Sequence, residues 1–389
     1  NSQGGFHFVS GVAGTGKSTL INQINQIKNK NVMIVAPTGL AAITAGGITI
    51  HSAFRLAPAL FHKAEYHSYK SPIFELLDIL IIDEISMVKS DLLDAINESL
   101  QLHRDNKKPF GGVTVAVFGD LFQLPPVLED EHRPLYEKKY PSEYFFAAKC
   151  LKNITPSIYQ LTKTFRQRDK GFVKILNNIR LAKNLINSIN IINKICYKNK
   201  INSELTLTSR SQKAEEINLA KLAGIEKKEY KYNAEWEGNY FEDKKSKSLP
   251  SPKILKLKVG AKIIFTKNRE NFKNGTLGII KELSKNKIII KAVDGNLIDL
   301  DQEKWEWFKY EIKTVIDSDG NAVIDSKGKE KKEIVERVVA SYKQYPIKLG
   351  WAITIHKSQG LTLENCNIDL GDDGAFVAGQ LYVALSRCS

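Results

Sequence analysis

The chain has 389 residues, more than one ordinary hydrophobic core supports, so we expect two or more domains. Apolar residues make up 42% of it, which excludes a disordered chain, and no run of eighteen uncharged apolar residues predicts a membrane span. Lys and Arg exceed Asp and Glu by 57 to 43, and this net charge of +14 favours a polyanionic partner or, alternatively, only a well-solvated surface.

The first 160 residues alternate short apolar runs with helical stretches, which is typical of a parallel α/β sheet. The runs are 6–9, 32–35, 79–82 and 113–118. Each is predominantly apolar, as expected of a central strand buried on both faces. Each ends in glycine or polar residues, and the carboxyl ends of such strands are where open α/β sheets bind ligands.

A second α/β unit begins near Leu161, with a helical apolar stripe over 172–179. From 233 to 340 the sequence changes to short β-like runs separated by Asn-Gly and Asp-Gly turn signals, which predict a small all-β insertion. The α/β character returns at 351–355. We interpret the lysine-rich stretch 244–258 as a solvated connector, with contact to nucleic acid as the alternative.

The four cysteines are far apart and show no C-x-x-C spacing, so we interpret them as reduced thiols of an intracellular protein. The first residues lack the basic and apolar regions of a signal peptide.

A phosphate-binding loop follows the first strand. Residues 11–18 read Gly-Val-Ala-Gly-Thr-Gly-Lys-Ser and precede a helix, as the P-loop motif requires. Backbone N–H groups there can hold phosphate oxygens at a helix N-terminus. We expect Lys17 to reach the β- and γ-phosphates of a bound nucleotide and Ser18 to bind Mg²⁺. A glycine-rich turn without a ligand is the alternative.

An acidic pair closes the strand 79–82. Asp83 stands where a P-loop enzyme needs a carboxylate for Mg²⁺, and Glu84 is placed to orient and deprotonate the attacking water. Both could instead cap the following helix.

Three further residues are candidates for contacts with the γ-phosphate. Gln123 lies in the loop after the strand 113–118 and could report the loss of that phosphate. Arg166 and Arg387 could stabilise the charge that develops in phosphoryl transfer. Taken singly, a loop glutamine is usually just solvated, and a lone arginine is more typical of a surface or salt-bridge residue.

In order, these motifs resemble those of superfamily 1B helicases, and most closely the Pif-type (petite integration frequency) family. The resemblance covers nearly the whole chain. Its segments are 11–18, 36–42, 49–54, 83–87, 86–112, 119–126, 165–167, 354–360 and 382–387.

The resemblance implies an α/β fold with two RecA-like P-loop domains, each a parallel sheet with flanking helices. The implied domains are 1–160, with a wedge insertion at about 57–77, and 161–232 with 341–389, interrupted by a β-barrel at 233–340. It also implies ATP and Mg²⁺ as cofactors and 5′-to-3′ translocation on single-stranded DNA. The implied substrates are duplexes, forks and G-quadruplexes, in replication, repair, recombination or telomere maintenance.

Motif by motif, the resemblance assigns nucleotide roles to Gly11, Ala13, Gly14, Thr15, Gly16, Lys17, Ser18, Thr19, Asp83, Glu84, Gln123, Arg166 and Arg387. It places DNA contacts at Thr38, Gly39, His51, Phe54, Asn268, Thr354, His356 and Lys357. We expect no membrane partner, an active monomer, and a bacterial cytoplasm or a eukaryotic nucleus or mitochondrion.

The sequence departs from the family pattern at both ends. The family carries an adenine-reading glutamine upstream of its P-loop, but only ten residues precede Gly11 here. Only two residues follow Arg387, where the family continues. We therefore expect both ends to be trimmed, and these residues do not themselves predict a preference for ATP over other nucleotides.

Two other classes of protein share parts of this pattern. One is a P-loop ATPase switch that remodels proteins without moving along DNA. The other is a passive single-strand binding module with a vestigial NTPase. Residues 354–360 and an arginine in the same chain favour the motor over the switch, and intact Lys17, Ser18, Asp83 and Glu84 argue against the passive module.

Overall fold

The structure is a computed structural model. It describes residues 4–56, 71–167, 169–199, 205–238, 249–272, 274–285, 287–324, 328–371 and 374–388. The chain forms two compact units. The first comprises Asn1–Leu121, Pro125–Lys163 and Trp307–Val339, and the second comprises Phe122–Leu124, Thr164–Glu306 and Ala340–Ser389. Among the described helices, none combines the length and the apolar character that a membrane crossing needs.

The first unit is built on a six-stranded parallel sheet in the order β3-β2-β4-β5-β1-β6. Its strands are β1 (Phe6–Gly11), β2 (Val32–Ala36), β3 (Ile48–Thr49), β4 (Ile79–Ile82), β5 (Thr114–Gly119) and β6 (Ser157–Leu161). Its helices are α1 (Lys17–Asn25), α2 (Gly39–Ala45), α3 (Ile50–Ala53), α4 (Pro72–Leu76), α5 (Ser90–His103) and α6 (Arg133–Glu137). The parallel α/β fold predicted for this region is confirmed.

The apolar strands have a helix on each face of the sheet. Side chains alternate along a strand, so Leu80 and Ile82 of β4 join one core with Ile96 of α5. Ile81 points the other way and joins a second core with Ile21 of α1. This explains why the strands are continuously apolar, because neither face is left to water.

The second unit combines a small parallel sheet with an antiparallel β region. Its first elements are α7 (Lys170–Arg180), α8 (Leu185–Asn199), β7 (Thr206–Thr208), α9 (Ser211–Ala223), β8 (Tyr230–Asn233), β9 (Glu235–Glu237), β10 (Ile254–Leu257), β11 (Lys262–Phe265), β12 (Leu277–Leu283), β13 (Ile288–Ala292) and β14 (Leu297–Asp299). The chain continues through β15 (Glu303–Thr314), β16 (Lys332–Gln344), β17 (Ile347–Leu349), β18 (Ala352–Thr354), β19 (Asn367–Asp369) and α10 (Gln380–Leu385).

The parallel strands of this unit lie in the order β18-β7-β19. The apolar stripe predicted over 172–179 is the buried face of α7, where Leu176 and Ile179 pack with Tyr382 and Leu385 of α10. The return of α/β character after residue 350 is therefore confirmed.

The β region centres on a five-stranded sheet in the order β14-β13-β12-β11-β17, antiparallel at every described pairing. Alternate residues such as Ile263, Ile280 and Ile290 fill its core. The Asn-Gly and Asp-Gly turn signals fall between its strands, with positive φ at Gly275 (93°) and Gly295 (91°). The predicted short strands and turns are confirmed.

The solvated connector predicted at 244–258 is wrong for its second half. Residues 239–248 lie outside the described residues, but Ile254–Leu257 forms β10 and pairs antiparallel with β8. Leu255 and Leu257 alternate with exposed residues and are buried in the core of the β region. Their period-two pattern outweighs the lysine content around them.

Strands β15 and β16 are neighbours in a sheet, and the 307–339 stretch that contains most of both belongs to the first unit. The hydroxyl of Tyr310 accepts a hydrogen bond from the backbone N–H of Ile34 in β2, at 3.1 Å. The N–H of Ile334 donates to Asn31 Oδ1, also at 3.1 Å. This stretch therefore supplies hydrogen-bond partners to a backbone group of β2 and to the side chain of the residue just before it. The wedge insertion predicted at about 57–77 lies mostly outside the described residues, apart from α4 and its flanks.

Candidate nucleotide and DNA site

The glycine-rich loop joins β1 to α1 through two left-handed glycines. Gly14 has φ 80° and Gly16, at the N-cap of α1, has φ 89°. A Cβ at Gly16 would meet no atom within 4 Å, so the backbone angle and not space requires glycine there. At Gly11 the reverse holds, because a Cβ would stand 2.4 Å from Thr15 Oγ1. The sequence thus builds a tight turn whose N–H groups lead into a helix.

Side chains of the loop reinforce this turn. Lys17 Nζ donates to the carbonyl oxygens of Gly11 (2.7 Å) and Val12 (3.2 Å). Thr15 Oγ1 donates to the Val12 carbonyl at 2.9 Å. Ala13 and Thr15 are buried, whereas Ser18 and Thr19 are exposed on the first turn of α1. The lysine therefore lies over its own loop, with the Ser18 hydroxyl open to solvent one residue on.

The acidic pair turns sharply after β4. Asp83 N–H continues the sheet by donating to Val35 O, and Asp83 Oδ1 accepts from Glu84 N–H, both at 2.9 Å. Glu84 is in the left-handed region, at φ 50° and ψ 47°. A non-glycine residue held there costs roughly 1–3 kcal/mol, and such strain clusters at functional sites.

Burial is the largest influence on Asp83 and raises its pKa. The hydrogen bond from Glu84 N–H and the charge of Lys17 oppose that rise, so the lysine and this carboxyl group interact electrostatically. The end of β5 approaches the same turn closely, because a Cβ at Gly119 would stand 3.2 Å from the backbone nitrogen of Ile85. The structure thus brings Lys17 and Asp83 together at the carboxyl edge of the sheet.

In the second unit, both predicted arginines gather at the end of α10. Arg166 donates from Nη1 to the backbone oxygen of Ser386, at 3.3 Å. Arg387 donates from Nη2 to Ser386 Oγ (2.7 Å) and from Nε to Val383 O (3.0 Å). Arg387 is only 2% exposed, and burial lowers the pKa of Arg166. The guanidinium of Arg387 is thus enclosed by acceptors of its own chain.

Gln167 completes what we call the arginine cluster, consisting of Arg166, Gln167, Ser386 and Arg387. Its buried amide donates to the carbonyl oxygens of Ser386 (3.0 Å) and Cys388 (2.9 Å). Sequence reasoning gave no role to Gln167 or Ser386. The available signal was their position next to the two arginines, inside motifs already recognised.

Gln123 is buried beside the start of α10. Gly379, the N-cap of that helix, has φ 76°, and a Cβ there would stand 2.4 Å from Gln123 O. Glycine is therefore required both by the angle and by the close approach of the Gln123 backbone. The six-residue helix α10 begins beside Gln123 and ends at the arginine cluster.

The predicted DNA residues of the first unit fall into two groups. Thr38 caps α2 by accepting from Ala41 N–H at 3.2 Å, and Gly39 starts that helix. His51 is half-buried in α3. Phe54, by contrast, is only 3% exposed and stacks on Phe74, with ring centroids 4.9 Å apart. The structure places Phe54 in the core, where its ring positions α3.

The predicted DNA residues of the second unit lie at the end of β18, on the segment after it, and on the turn before β12. Thr354 ends β18, and its hydroxyl accepts from Lys357 N–H at 3.3 Å. Burial lowers the pKa of His356, which favours the neutral imidazole at neutral pH. Asn268 is exposed, and its side-chain oxygen accepts from Asn274 N–H at 2.8 Å, which braces the turn before β12.

Comparisons with known proteins identify helicases that are similar to this chain. The family model described as PIF1-like helicase matches residues 1–198. The chain is 30% identical, over 98% of its length, to the ATP-dependent DNA helicase PIF1 of Emericella nidulans, of which it spans 57%. It is 31% identical, again over 98% of its length, to the ATP-dependent DNA helicase Pif1 of Campylobacter jejuni, of which it spans 86%.

Solved structures are similar over nearly the whole chain. Bacteroides sp Pif1 in complex with ADP-AlF4 has a TM-score of 0.84 and 34% identity, and the match covers 99% of this chain and 86% of that one. Bacteroides Pif1 in complex with ADP-AlF3 and single-stranded DNA has a TM-score of 0.63 and 35% identity, covering 100% and 87%.

Proposed function

Because the chain belongs to the PIF1-like helicase family, we propose that it uses ATP hydrolysis to move 5′ to 3′ along single-stranded DNA and to unwind duplexes, forks and G-quadruplexes. The relatives named above are ATP-dependent DNA helicases, and a Bacteroides relative binds single-stranded DNA. One observation carries the proposal. The P-loop lysine and a strained acidic turn meet at the carboxyl edge of a parallel sheet, which is the arrangement that NTP hydrolysis needs.

The P-loop holds the phosphates of ATP in this proposal. The loop from Gly11 to Gly16 leads into the N-terminus of α1, where partial positive charge favours an anion. Lys17 moves from its own carbonyl partners to the β- and γ-phosphates when nucleotide arrives. Its present bonds cost little to exchange, because phosphate oxygens are stronger acceptors than carbonyl oxygens.

The residues present fit a magnesium ion. Mg²⁺ prefers oxygen ligands and keeps several waters, so one hydroxyl and one carboxylate suffice from the protein. Ser18 offers an exposed hydroxyl on the first turn of α1, and Asp83 offers a carboxylate that interacts with the neighbouring Lys17. We propose these two residues as the magnesium ligands. The bound ion would neutralise charge on the phosphates.

Glu84 is the proposed general base. Glu84 lies in a turn after the strand, with its backbone in the left-handed region. In this proposal its carboxylate accepts a proton from the attacking water. Gln123 is proposed to hydrogen-bond the γ-phosphate and to report its loss. Arg166 and Arg387 are proposed to stabilise the charge on the transferred phosphoryl group. For Arg387, this role requires it to exchange acceptors within the arginine cluster.

DNA contact is proposed for the members of the predicted set that are not buried. Thr38, Gly39 and His51 lie on the short segments after β2 and β3, and His356 and Lys357 lie on the segment after β18. Thr354 is the buried last residue of β18, so it is given an indirect role through its hydrogen bond with Lys357 N–H. Asn268 lies on the β region. Phe54 is given an indirect role, because its buried ring packs under α3. The β region itself is proposed to hold the strand and so slow its release.

The domain boundaries, the monomeric state and the cellular compartment stay predictions. The runner-up function is a P-loop ATPase switch that does not move along DNA. The two functions differ in what DNA does to hydrolysis. In the motor, single-stranded DNA favours the arrangement in which Arg166 and Arg387 act, and an arginine aimed at the γ-phosphate is worth roughly 10³–10⁵ in rate.

Steady-state ATPase rates with and without a single-stranded oligonucleotide therefore test the proposal. We expect DNA to raise the rate by about tenfold or more, a small part of what the arginines can supply. A duplex without a single-stranded tail, at the same nucleotide concentration, is the matched control and should stimulate far less. Equal rates with and without DNA would favour the switch.

A further inference from the structure

Two thiols lie side by side next to the arginine cluster. Cys366 Sγ and Cys388 Sγ are 3.5 Å apart, although 22 residues separate them in sequence. Both are half-buried free thiols, and Cys196, which is exposed, lies near enough to influence Cys366. The sequence showed only four scattered cysteines. The fold brings Cys366 and Cys388 together in the second unit.

The backbone holds this thiol pair in register. Leu363 and Cys388 form an isolated parallel bridge, and Leu363 N–H donates to Arg387 O at 2.9 Å. The amide of Gln167 donates to the carbonyl oxygen of Cys388 at 2.9 Å. The two segments that carry the sulfurs are therefore joined by main-chain bonds. Bringing the sulfurs together costs little chain entropy, because most of the loop is already closed.

The surroundings make the two sulfurs unequal. The hydrogen bond from Cys366 and the charge of Arg387 lower the pKa of Cys388, against the opposing effect of burial. The same hydrogen bond and burial raise the pKa of Cys366. Cys388 is thus the thiol that ionises first, and the thiolate is the nucleophile in reactions with peroxides.

We propose that Cys366 and Cys388 form a reversible regulatory disulfide, with a hydroperoxide as the oxidant, and that this disulfide slows ATP hydrolysis by fixing Arg387. The Cys388 thiolate attacks one peroxide oxygen, the O–O bond breaks, and hydroxide or alkoxide leaves. The resulting sulfenic acid is attacked by Cys366, which loses its proton, and water leaves as the S–S bond forms. Two thiols are oxidised by two electrons, and one peroxide is reduced. A dithiol reductant reverses the reaction by thiol–disulfide exchange.

The effect on hydrolysis rests on the role proposed above for Arg387. Closing the sulfurs from 3.5 Å to a bond of about 2.0 Å shifts the residue next to Arg387 by up to roughly 1.5 Å. It also ties that residue to the segment whose N–H already holds Arg387 O. Misplacement of a catalytic group by about 1 Å can cost on the order of 10²-fold, so a tenfold loss is a moderate expectation.

The test treats the reduced protein with hydrogen peroxide, blocks the remaining thiols, and measures both peptide masses and DNA-stimulated ATPase. We expect a linked Cys366–Cys388 peptide, about a tenfold fall in ATPase, and recovery of both with dithiothreitol. Cys366→Ser should show neither the link nor the fall. Cys196→Ser is the matched control, since it removes a neighbouring thiol but leaves the pair, and it should behave like the wild type.

Four results would overturn the inference. They are absence of the Cys366–Cys388 peptide, a Cys196–Cys366 peptide in its place, full ATPase in the linked protein, or an equal loss of ATPase in Cys366→Ser. A reduced protein without ATPase would instead overturn the proposed function and, with it, the effect on hydrolysis. The linked peptide would still decide whether the disulfide forms, so the two failures can be told apart.

Discussion

The two units hold their candidate nucleotide residues in different ways. In the first, Gly11 ends β1, and Asp83 and Glu84 follow β4, so the backbone of a six-stranded sheet sets their positions. In the second, Arg166 and Arg387 surround the end of α10, held by side-chain hydrogen bonds to Ser386 and Val383. The residues of the first unit are therefore positioned before nucleotide binds, whereas the two arginines of the second unit depend on hydrogen bonds that nucleotide and DNA can rearrange.

Glu84→Gln tests the candidate residues of the first unit by removing the proposed general base. It should have the largest effect on ATP hydrolysis. The amide keeps the shape of the turn but cannot accept the proton, so hydrolysis should fall by about 10²–10⁴-fold. Nucleotide and DNA affinities should stay unchanged in equilibrium titrations. Glu129→Gln, an exposed acid of the same unit, is the control. Loss of nucleotide binding in Glu84→Gln would make Glu84 a structural residue.

Lys17→Ala removes the lysine from the P-loop and should cause the second-largest loss of ATP hydrolysis. Hydrolysis should fall by about 10²–10³-fold, comparable to the removal of one preorganised donor from an active site. DNA binding at fixed salt should change little, because that affinity is spread over many contacts. Lys28→Ala, an exposed lysine shortly after α1, provides the control. Wild-type hydrolysis in Lys17→Ala would refute the assignment of the P-loop.

Gln167→Glu tests whether the positions of Arg166 and Arg387 depend on the hydrogen bonds of the arginine cluster. The substitution keeps the size of the side chain but removes both N–H donors to the Ser386 and Cys388 carbonyls. We expect about a tenfold lower kcat for DNA-stimulated hydrolysis with little change in KM, because the arginines act on the transition state. Gln212→Glu, an exposed glutamine of α9, is the control. If kcat stays at the wild-type value, the cluster does not position the arginines.

Tyr310→Phe should affect stability more than chemistry. It removes the hydroxyl that accepts from Ile34 N–H and leaves that buried donor in β2 without this acceptor, at a cost of about 1–3 kcal/mol. Denaturant unfolding measures the change, with Tyr159→Phe, an exposed tyrosine, as the control. An unchanged free energy of unfolding would show that the hydrogen bond from the 307–339 stretch to β2 contributes little to stability.

Much of the first unit could be predicted from sequence because its signals are local. The apolar runs give the strands, the glycines give the P-loop turn, and Asp83 and Glu84 follow directly from the end of β4. The strain at Glu84 was not predictable, because no residue type there signals a left-handed backbone. The buried position of Phe54 was also missed. An aromatic residue in a binding motif does not reveal whether its ring faces solvent or a partner such as Phe74.

Less of the second unit could be predicted, because its contacts join distant parts of the chain. The amide of Gln167 bonds to Ser386, 219 residues away. The first unit holds a contact of the same kind, because Tyr310 bonds to Ile34, 276 residues away, and no periodicity in 233–340 indicates it. The proximity of Cys366 and Cys388 depends on the bridge at Leu363, which follows from folding and not from cysteine spacing.

Strand separation on tailed duplexes tests the central claim most directly. The substrates are three forms of one duplex, with a 5′ single-stranded tail, a 3′ tail or no tail, at fixed salt and saturating ATP and Mg²⁺. The proposed function predicts unwinding of the 5′-tailed duplex alone, with none in Glu84→Gln. Unwinding that requires a 3′ tail, or ATP hydrolysis without strand separation on any substrate, would contradict it.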